Sequence, residues 1–302
     1  MRQSTERRLS VLDVVLRPHA RHQRWVRAGL AATMLLLVVI VGLWHGPSRS
    51  PGPGNAHTLA QVRVRVAACP VVAADYAGTP WRPKAAPATL SLPASLAPPA
   101  NAQIFGTWFV PGPVSYLLGP RSATCQAGFG SADGGEGVLA TLPSDRSAVV
   151  TMTVKAGGLG PSTDLACPYI PAVYAADKAL RRGSTFCTHP SAEVIRQIPT
   201  GTASLYAAVV FVPPSVKDSD IAGSGGGTDP AVVLYTAWAG SGGANAQSIT
   251  CTLAPAQGDV CVASLRFFLA TQSAIRTQIS AAHLAAMEQA LSSFLAAQYA
   301  RY

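Results

Sequence analysis

Residues 61–66 read Gln-Val-Arg-Val-Arg-Val, in which polar and apolar side chains alternate strictly. Because successive side chains of a strand point to opposite faces, the valines share one face and the arginines share the other. The pattern predicts a strand with one face against a core and the other in solvent. The chain that follows is therefore expected to be built mainly from sheets.

Short apolar runs separated by glycine and proline continue from residue 104 onward. Each run has the length and composition of a strand, and turn-forming residues occupy nearly every gap. The predicted strands are 104–110, 137–142, 148–154, 205–212, 231–238, 248–253 and 260–269.

Two segments have the pattern of a helix instead. The first covers residues 169–182, with Pro171 near the first turn, where a helix tolerates a residue without an N–H group. The second is C-terminal, with Ser280 as its candidate N-cap. Its apolar residues fall at offsets 0, 3, 7, 10 and 11 and form one amphipathic face: Leu284, Met287, Leu291, Phe294 and Leu295.

Residues 28–44, AGLAATMLLLVVIVGLW, contain no charged side chain. As a helix they span about 25 Å, close to the hydrocarbon thickness of a bilayer, so a transmembrane helix is predicted over residues 28–45 with the lipid bilayer as its partner. Seven arginines precede it within residues 1–27, which places the N-terminus in the cytoplasm. A cleaved secretory signal is the alternative, but the basic region is long and no small-x-small cleavage site follows directly.

The sequence therefore predicts a single-pass plasma-membrane protein in four parts. They are a basic cytoplasmic tail (1–27), a transmembrane helix (28–45), a Pro/Gly-rich stalk (46–58) and an extracytoplasmic domain (59–302). The predicted fold class is α+β: a predominantly antiparallel β ectodomain with a C-terminal amphipathic helix, preceded by one transmembrane helix. Residues 79–102 hold six prolines and are expected to form an extended, polyproline-like excursion.

All six cysteines lie beyond the predicted stalk, which in an oxidising compartment indicates three disulfides. The proposed pairs are Cys251 with Cys261, Cys167 with Cys187, and Cys69 with Cys125. The first pair rests on a hairpin around residues 254–259 that places its cysteines on opposite strands. The second flanks the helix predicted at 169–182, and the third follows by elimination.

A metal site is the alternative for one of these pairs. Asp164, Cys167, Cys187 and His189 carry suitable ligand atoms, but their spacing matches no common zinc module. Neither a metal nor a cofactor is therefore predicted.

No catalytic residue is predicted either. The sequence nearest to a nucleophile elbow is Ala-Gly-Ser-Gly-Gly at 239–243, where alanine replaces the first glycine of the motif. An extracytoplasmic hydrolase with an unfamiliar site remains an alternative. It requires that Ser241, His189 or His283 converge with a carboxylate.

The acidic side chains do not form a recognisable motif. Asp218 and Asp220 lack the glycine and the distal glutamate of a calcium loop. Asp133 and Glu136 lie in Ser-Ala-Asp-Gly-Gly-Glu-Gly, which we interpret first as a turn with solvated carboxylates and only second as a ligand site.

The net charge of +9 is concentrated at the N-terminus, where the tail supplies +5. The remaining charges are dispersed, so no nucleic-acid partner is expected. Topology and the lack of a catalytic pattern favour a non-enzymatic domain that binds or senses a ligand, a glycan or an envelope protein. A scaffold within an envelope complex is the other alternative.

Overall fold

The alternating segment at residues 61–66 begins the first strand of the computed structural model. The structure describes residues 60–74, 82–110, 112–129, 136–155, 166–180, 194–214, 229–240 and 243–302. In the first strand the three valines are half-buried while Arg63 and Arg65 are exposed, as the alternation predicts. Residues Leu59–Tyr302 form one compact unit.

The strands of the described residues are numbered in chain order. They are β1 (Gln61–Ala68), β2 (Val71–Ala74), β3 (Arg82–Lys84), β4 (Thr89–Pro93), β5 (Ala102–Val110), β6 (Val114–Pro120), β7 (Thr124–Phe129), β8 (Glu136–Leu142), β9 (Asp145–Lys155), β10 (Val194–Ile198), β11 (Leu205–Val212), β12 (Ala231–Gly240) and β13 (Gly243–Thr252). The α-helices are α1 (Pro171–Leu180), α2 (Gly258–Thr271), α3 (Ser273–Arg276) and α4 (Ala281–Tyr299). Two 3-10 turns lie at Ala94–Leu96 and Pro255–Gln257. This content confirms a β-rich α+β fold.

The smaller sheet has five strands. Strand β5 pairs with β6 along one edge and with β3 and β1 along the other, and β4 pairs with β1. The predicted polyproline-like excursion at 79–102 is therefore corrected, since its described part supplies β3 and β4. The sheet accommodates Pro83 and Pro93 because both lie on strands with a single described neighbour, where a missing N–H disrupts no central ladder.

The larger sheet has eight strands in the order β10-β11-β12-β13-β9-β8-β7-β2. Its neighbouring strands are antiparallel except β2 and β7. In the smaller sheet the parallel pair is β1 with β5. The mainly antiparallel arrangement follows from short connections between strands that succeed one another in sequence.

The chain passes from one sheet to the other at Cys69 and Pro70. The backbone N–H of Cys69 donates to the carbonyl of Gly106 in the smaller sheet, and the N–H of Ala127 in the larger sheet donates to the carbonyl of Pro70. A disulfide between Cys69 and Cys125 spans this crossing. The bridge therefore ties the two sheets together where β1 ends and β2 begins.

Both faces of the larger sheet are covered. One face shares a single apolar core with the smaller sheet, α2 and α4. The opposite face packs against α1 and the segment that leads into it, where the rings of Tyr169 and Tyr235 stack with centroids 4.5 Å apart. Helix α1 begins at Pro171, in agreement with the predicted first turn.

Helix α2 replaces the strand predicted at 260–269. Nine of its residues are buried, because it lies against β6, β13 and α4 and has little surface left for solvent. An evenly apolar run shows neither the two-residue period of a strand nor the 3.6-residue period of a helix. Its length is therefore the better guide to the type of element. The hydroxyl of Ser264 fixes this helix to the smaller sheet through a 2.8 Å hydrogen bond to the carbonyl of Leu118.

The disulfide between Cys251 and Cys261 joins the end of β13 to the first turn of α2. The hairpin that suggested this pair is therefore wrong, although the two cysteines are bonded. Their Cα atoms lie 5.6 Å apart because the 3-10 turn at Pro255–Gln257 leads straight from the strand into the helix. Cys167 is also in a disulfide, and its proposed partner Cys187 lies outside the described residues.

Helix α4 agrees with its prediction. The side chain of Ser280 accepts a hydrogen bond from the N–H of His283, as an N-cap does. Met287, Leu291 and Leu295 are buried in the shared core, so the amphipathic face is the one that packs.

The predicted tail, transmembrane helix and stalk, residues 1–58, lie outside the described residues. Within the ranges that the structure describes, no helix is long and apolar enough to cross a membrane.

Candidate functional site

Glu136 lies at the start of β8 with its side chain between the two sheets. The hydroxyl of Ser115, on β6 of the smaller sheet, donates a 3.0 Å hydrogen bond to Oε2 of Glu136. Strand β8 is held on both sides, by β7 and β9, and this pairing fixes the face on which Glu136 lies. The fold thus places an acidic group in the layer between the sheets.

Burial dominates the electrostatics of this carboxyl. Withdrawal from water raises the pKa of Glu136 from 4.5 to about 7, and the hydrogen bond from Ser115 lowers it only in part. The second oxygen, Oε1, is buried without a hydrogen-bond partner among the described residues. The interpretation of Glu136 as a solvated turn residue is therefore corrected: β8 begins at this residue and carries it under the smaller sheet.

Residues that are paired across neighbouring strands form a row that begins at Glu136 and crosses the larger sheet. Glu136 pairs with Val154 of β9, and Val154 pairs in turn with Gln247 of β13. Gln247 pairs with Thr236 of β12. Directly paired residues of neighbouring strands lie on the same face, so Glu136, Gln247 and Thr236 share the face that lines the common core. Neighbouring strands are about 4.8 Å apart, and the row therefore extends over about 14 Å.

The smaller sheet adds polar groups opposite this row. Thr107 on β5 is the register partner of Ser115 on β6, so both lie on the face that is turned to Glu136. We call Thr107, Ser115, Glu136, Gln247 and Thr236 the polar row. Its members come from five strands of two sheets, which places it in the interior of the fold and not on a single loop.

Most residues of the polar row have a buried side-chain oxygen without a hydrogen-bond partner among the residues that the structure describes. Four of its buried side-chain atoms have no hydrogen-bond partner in the described part of the chain: Oγ1 of Thr107, Oε1 of Glu136, Oε1 of Gln247 and Oγ1 of Thr236. Thr107, Gln247 and Thr236 are at most 6% exposed. Because buried polar groups are normally paired, four such atoms on one level of the fold make this part of the interior a candidate binding site.

The polar row lies near one end of the larger sheet. Trp238 and Asn245 form the next pair on the same face toward the turn between β12 and β13. Both are half-buried, as are Ser115 and Glu136, whereas Thr107, Gln247 and Thr236 are buried. The row therefore runs from the half-buried Ser115 and Glu136 to the buried Gln247 and Thr236.

The predicted hydrolase candidates have mixed outcomes. Ser241 and His189 lie outside the described residues, whereas His283 is exposed near the start of α4. The ring of His283 lies against Gly201, since a Cβ built at that glycine would be 2.5 Å from it. Within the described residues the structure gives this ring no carboxylate partner.

The metal and calcium candidates also fall largely outside the described residues. These are Asp133, Asp164, Cys187, His189, Asp218 and Asp220. Among the residues that are described, no group of three or more His, Cys, Asp or Glu side chains is arranged to hold a metal ion.

The other members of the polar row are not predicted from the sequence. Thr236 stands two positions from Leu234, which is buried in the shared core. Gln247 stands two positions from Ile249, which is buried there as well. Alternation along each strand assigns both polar residues to the inner face, and the same holds for Thr107. Polar residues at inward positions of apolar strands are the signal that could have revealed the site.

Comparisons with protein families, with curated proteins and with solved structures find no match for this chain.

Proposed function

We propose that this protein is a membrane-anchored, extracytoplasmic binding domain that senses a small polar ligand through the polar row. The single observation that carries the proposal is the set of four buried, unpartnered atoms that strand register and the Ser115–Glu136 contact bring to one level of the fold, counted over the described residues. A buried polar atom without a partner costs roughly 1–3 kcal/mol. A fold that holds four of them together gains stability when a ligand supplies the missing hydrogen bonds.

The proposed location rests on two further features. Residues 28–45 have the length and apolar character of a membrane anchor, with the arginine-rich tail on the cytoplasmic side. Disulfides at Cys69–Cys125 and Cys251–Cys261 are typical of an oxidising compartment outside the cytoplasm. Both support a domain that contacts ligands at the cell envelope.

The binding proposal is tested by ligand-induced stabilisation of the full chain in detergent micelles. The melting temperature is measured with a panel of small polyols, sugars, amines and carboxylic acids, for the natural protein and for Gln247→Leu. At least one compound is expected to raise the melting temperature of the natural protein and to lose this effect in Gln247→Leu, because a ligand that binds the native state stabilises it.

A matched control is Gln126→Leu, which changes an exposed glutamine on strand β7 of the same sheet. This variant is expected to respond to the same compound as the natural protein does. The proposal is wrong if no compound in the panel produces a shift that Gln247→Leu removes.

A further inference from the structure

Two of the four unpartnered atoms of the polar row are oxygens that act as hydrogen-bond acceptors. Oε1 of Glu136, when ionised, and Oε1 of Gln247 accept hydrogen bonds but cannot donate them. The hydroxyls of Thr107 and Thr236 can donate as well as accept, so they fit either kind of group on the ligand. A complementary ligand therefore brings hydrogen-bond donors to Glu136 and Gln247.

The charge of the row is unbalanced as well. Within the described residues, the structure gives the Glu136 carboxylate no ion pair, and its hydrogen bond comes from the neutral hydroxyl of Ser115. A buried carboxylate is stabilised by a cation that also donates hydrogen bonds. A ligand with a positive charge at the Glu136 end meets both requirements.

A metal ion does not fit this arrangement. Calcium takes six to eight oxygen ligands at about 2.3–2.6 Å around a single point. The polar row is instead spread along the sheet, because β9 lies between the strands of Glu136 and Gln247 and separates them by two strand spacings of about 4.8 Å each. Such a linear arrangement suits an extended organic molecule.

The two ends of the row in the larger sheet favour different groups. At one end, Glu136 is the acidic member. At the other end, Gln247 and Thr236 are neutral and are paired directly across β13 and β12. A ligand that reaches both ends needs a cationic group and a neutral polar group, joined by a short linker that spans the distance across β9.

From this order of groups we infer that the polar row binds a small organic amine, with a primary ammonium group on Glu136 and a hydroxyl or similar neutral group on Gln247 and Thr236. An ammonium group carries three donors and no acceptor, which complements the unpartnered Oε1 of Glu136. The inference names the ligand class of the binding site and so rests on the proposed function.

The test compares 4-aminobutan-1-ol with 1,4-butanediol, which has the same chain and carries a hydroxyl in place of the ammonium group. Binding of each probe to the full chain in detergent is measured by isothermal titration calorimetry at about pH 8, where the carboxyl of Glu136, with its pKa of about 7, is mostly ionised and the amine is protonated. The amino alcohol is expected to bind the natural protein at least about tenfold more tightly than the diol does, because only the ammonium group forms an ion pair with Glu136.

Glu136→Gln is the variant that removes the charge and keeps the size of the side chain. It is expected to weaken binding of the amino alcohol at least about tenfold and to leave the diol unaffected within about twofold, since only the amine loses a charged partner. Glu288→Gln is the matched control, because it changes a carboxylate that pairs with Arg266 between α4 and α2. It is expected to leave the affinity for both probes unchanged.

The outcomes separate the two proposals. Equal affinity for both probes, with no effect of Glu136→Gln, overturns the amine inference and leaves the binding site standing. The same holds if neither probe binds while another compound of the panel gives a stabilisation that Gln247→Leu removes. If no compound gives such a stabilisation, the proposed function and the amine inference both fail. Because the two probes are first compared on the natural protein, misfolding of a variant does not decide the result.

Discussion

Ser115 and Glu136 join the two sheets by a side-chain hydrogen bond, in which the hydroxyl on β6 donates to the carboxylate on β8 over 3.0 Å. Burial raises the pKa of the Glu136 carboxyl, and the hydrogen bond from Ser115 lowers it in part. The contact between the two sheets and the ionisation of Glu136 are therefore linked, so a substitution of Ser115 is expected to change the pKa of Glu136.

Ser115→Ala is expected to raise the pKa of Glu136 above its value of about 7, because the hydrogen bond that favours the charged form is lost while burial remains. The measurement is a pH titration of the carboxyl carbons of 13C-labelled glutamate by NMR. Ser147→Ala is the control: it removes a side-chain hydrogen bond to Asp145 and is expected to leave Glu136 unchanged. An unaltered Glu136 titration in Ser115→Ala contradicts the prediction.

The contribution of Glu136 to stability is expected to fall as the pH rises from about 5 to about 8. The pKa of Glu136 is raised in the folded state, so the folded protein keeps a proton that the unfolded chain has lost. This contribution is complete below pH 4.5 and disappears as the pH passes about 7. A rise in pKa from 4.5 to about 7 corresponds to at most ~3 kcal/mol.

Urea unfolding of the natural protein and of Glu136→Gln at about pH 5 and about pH 8 measures this effect. The variant is expected to lack most of the difference between the two pH values, because its amide does not titrate. Asp145→Asn is the control, since the pKa of exposed Asp145 is lowered and it is ionised throughout this range. A pH difference that persists in full in Glu136→Gln would refute the assignment.

The two described disulfides are expected to contribute unequally. Cys69 and Cys125 are 56 residues apart, whereas Cys251 and Cys261 are 10 apart. Chain entropy alone gives a loss of ~4 kcal/mol for replacing the first pair by alanine and ~3 kcal/mol for the second. Denaturant unfolding of the two double-alanine variants tests the order, and a larger loss for the shorter loop rules out this entropic account.

Gly201 and His283 form a contact that mutation can dissect. Gly201 has a φ of 71°, and a Cβ at this position would lie 2.5 Å from the ring of His283. Gly201→Ala is expected to destabilise the fold by ~2 kcal/mol or more through backbone strain and this clash. In the background of His283→Ala the loss should shrink to the ~1–2 kcal/mol of the backbone strain.

A double-mutant cycle of thermal unfolding measures this coupling. The control is Gly137→Ala, because a Cβ at Gly137 meets nothing within 4 Å. Equal costs of Gly201→Ala with and without the histidine ring would show that the contact carries no energy.

Local patterns in the sequence predict the elements whose period is clear. The alternation in β1 and the spacing of the apolar residues in α4 both predict which face of the element is buried. The strand at Leu205–Val212 has the predicted bounds because apolar residues fill it almost from end to end.

Other elements depend on partners that are distant in sequence. Strands β3 and β4 form in a proline-rich stretch because β5 and β1 offer them hydrogen-bonding edges. Helix α2 is apolar on most sides because three elements surround it, and its sequence therefore lacks the period that identifies a helix. Glu136 follows two glycines, and its burial results from the smaller sheet that covers it, which no local pattern encodes.

The hydroxyl of Ser264 on helix α2 donates a hydrogen bond to the carbonyl of Leu118, which lies 146 residues earlier in the chain. The first half of the compact unit Leu59–Tyr302 therefore cannot close its core until the last segment of the chain has been synthesised. Premature termination before residue 258 yields a product with an open hydrophobic surface, prone to aggregation and degradation, and not a smaller working unit. Gene fragments that end ahead of this helix are unsuitable for producing the domain.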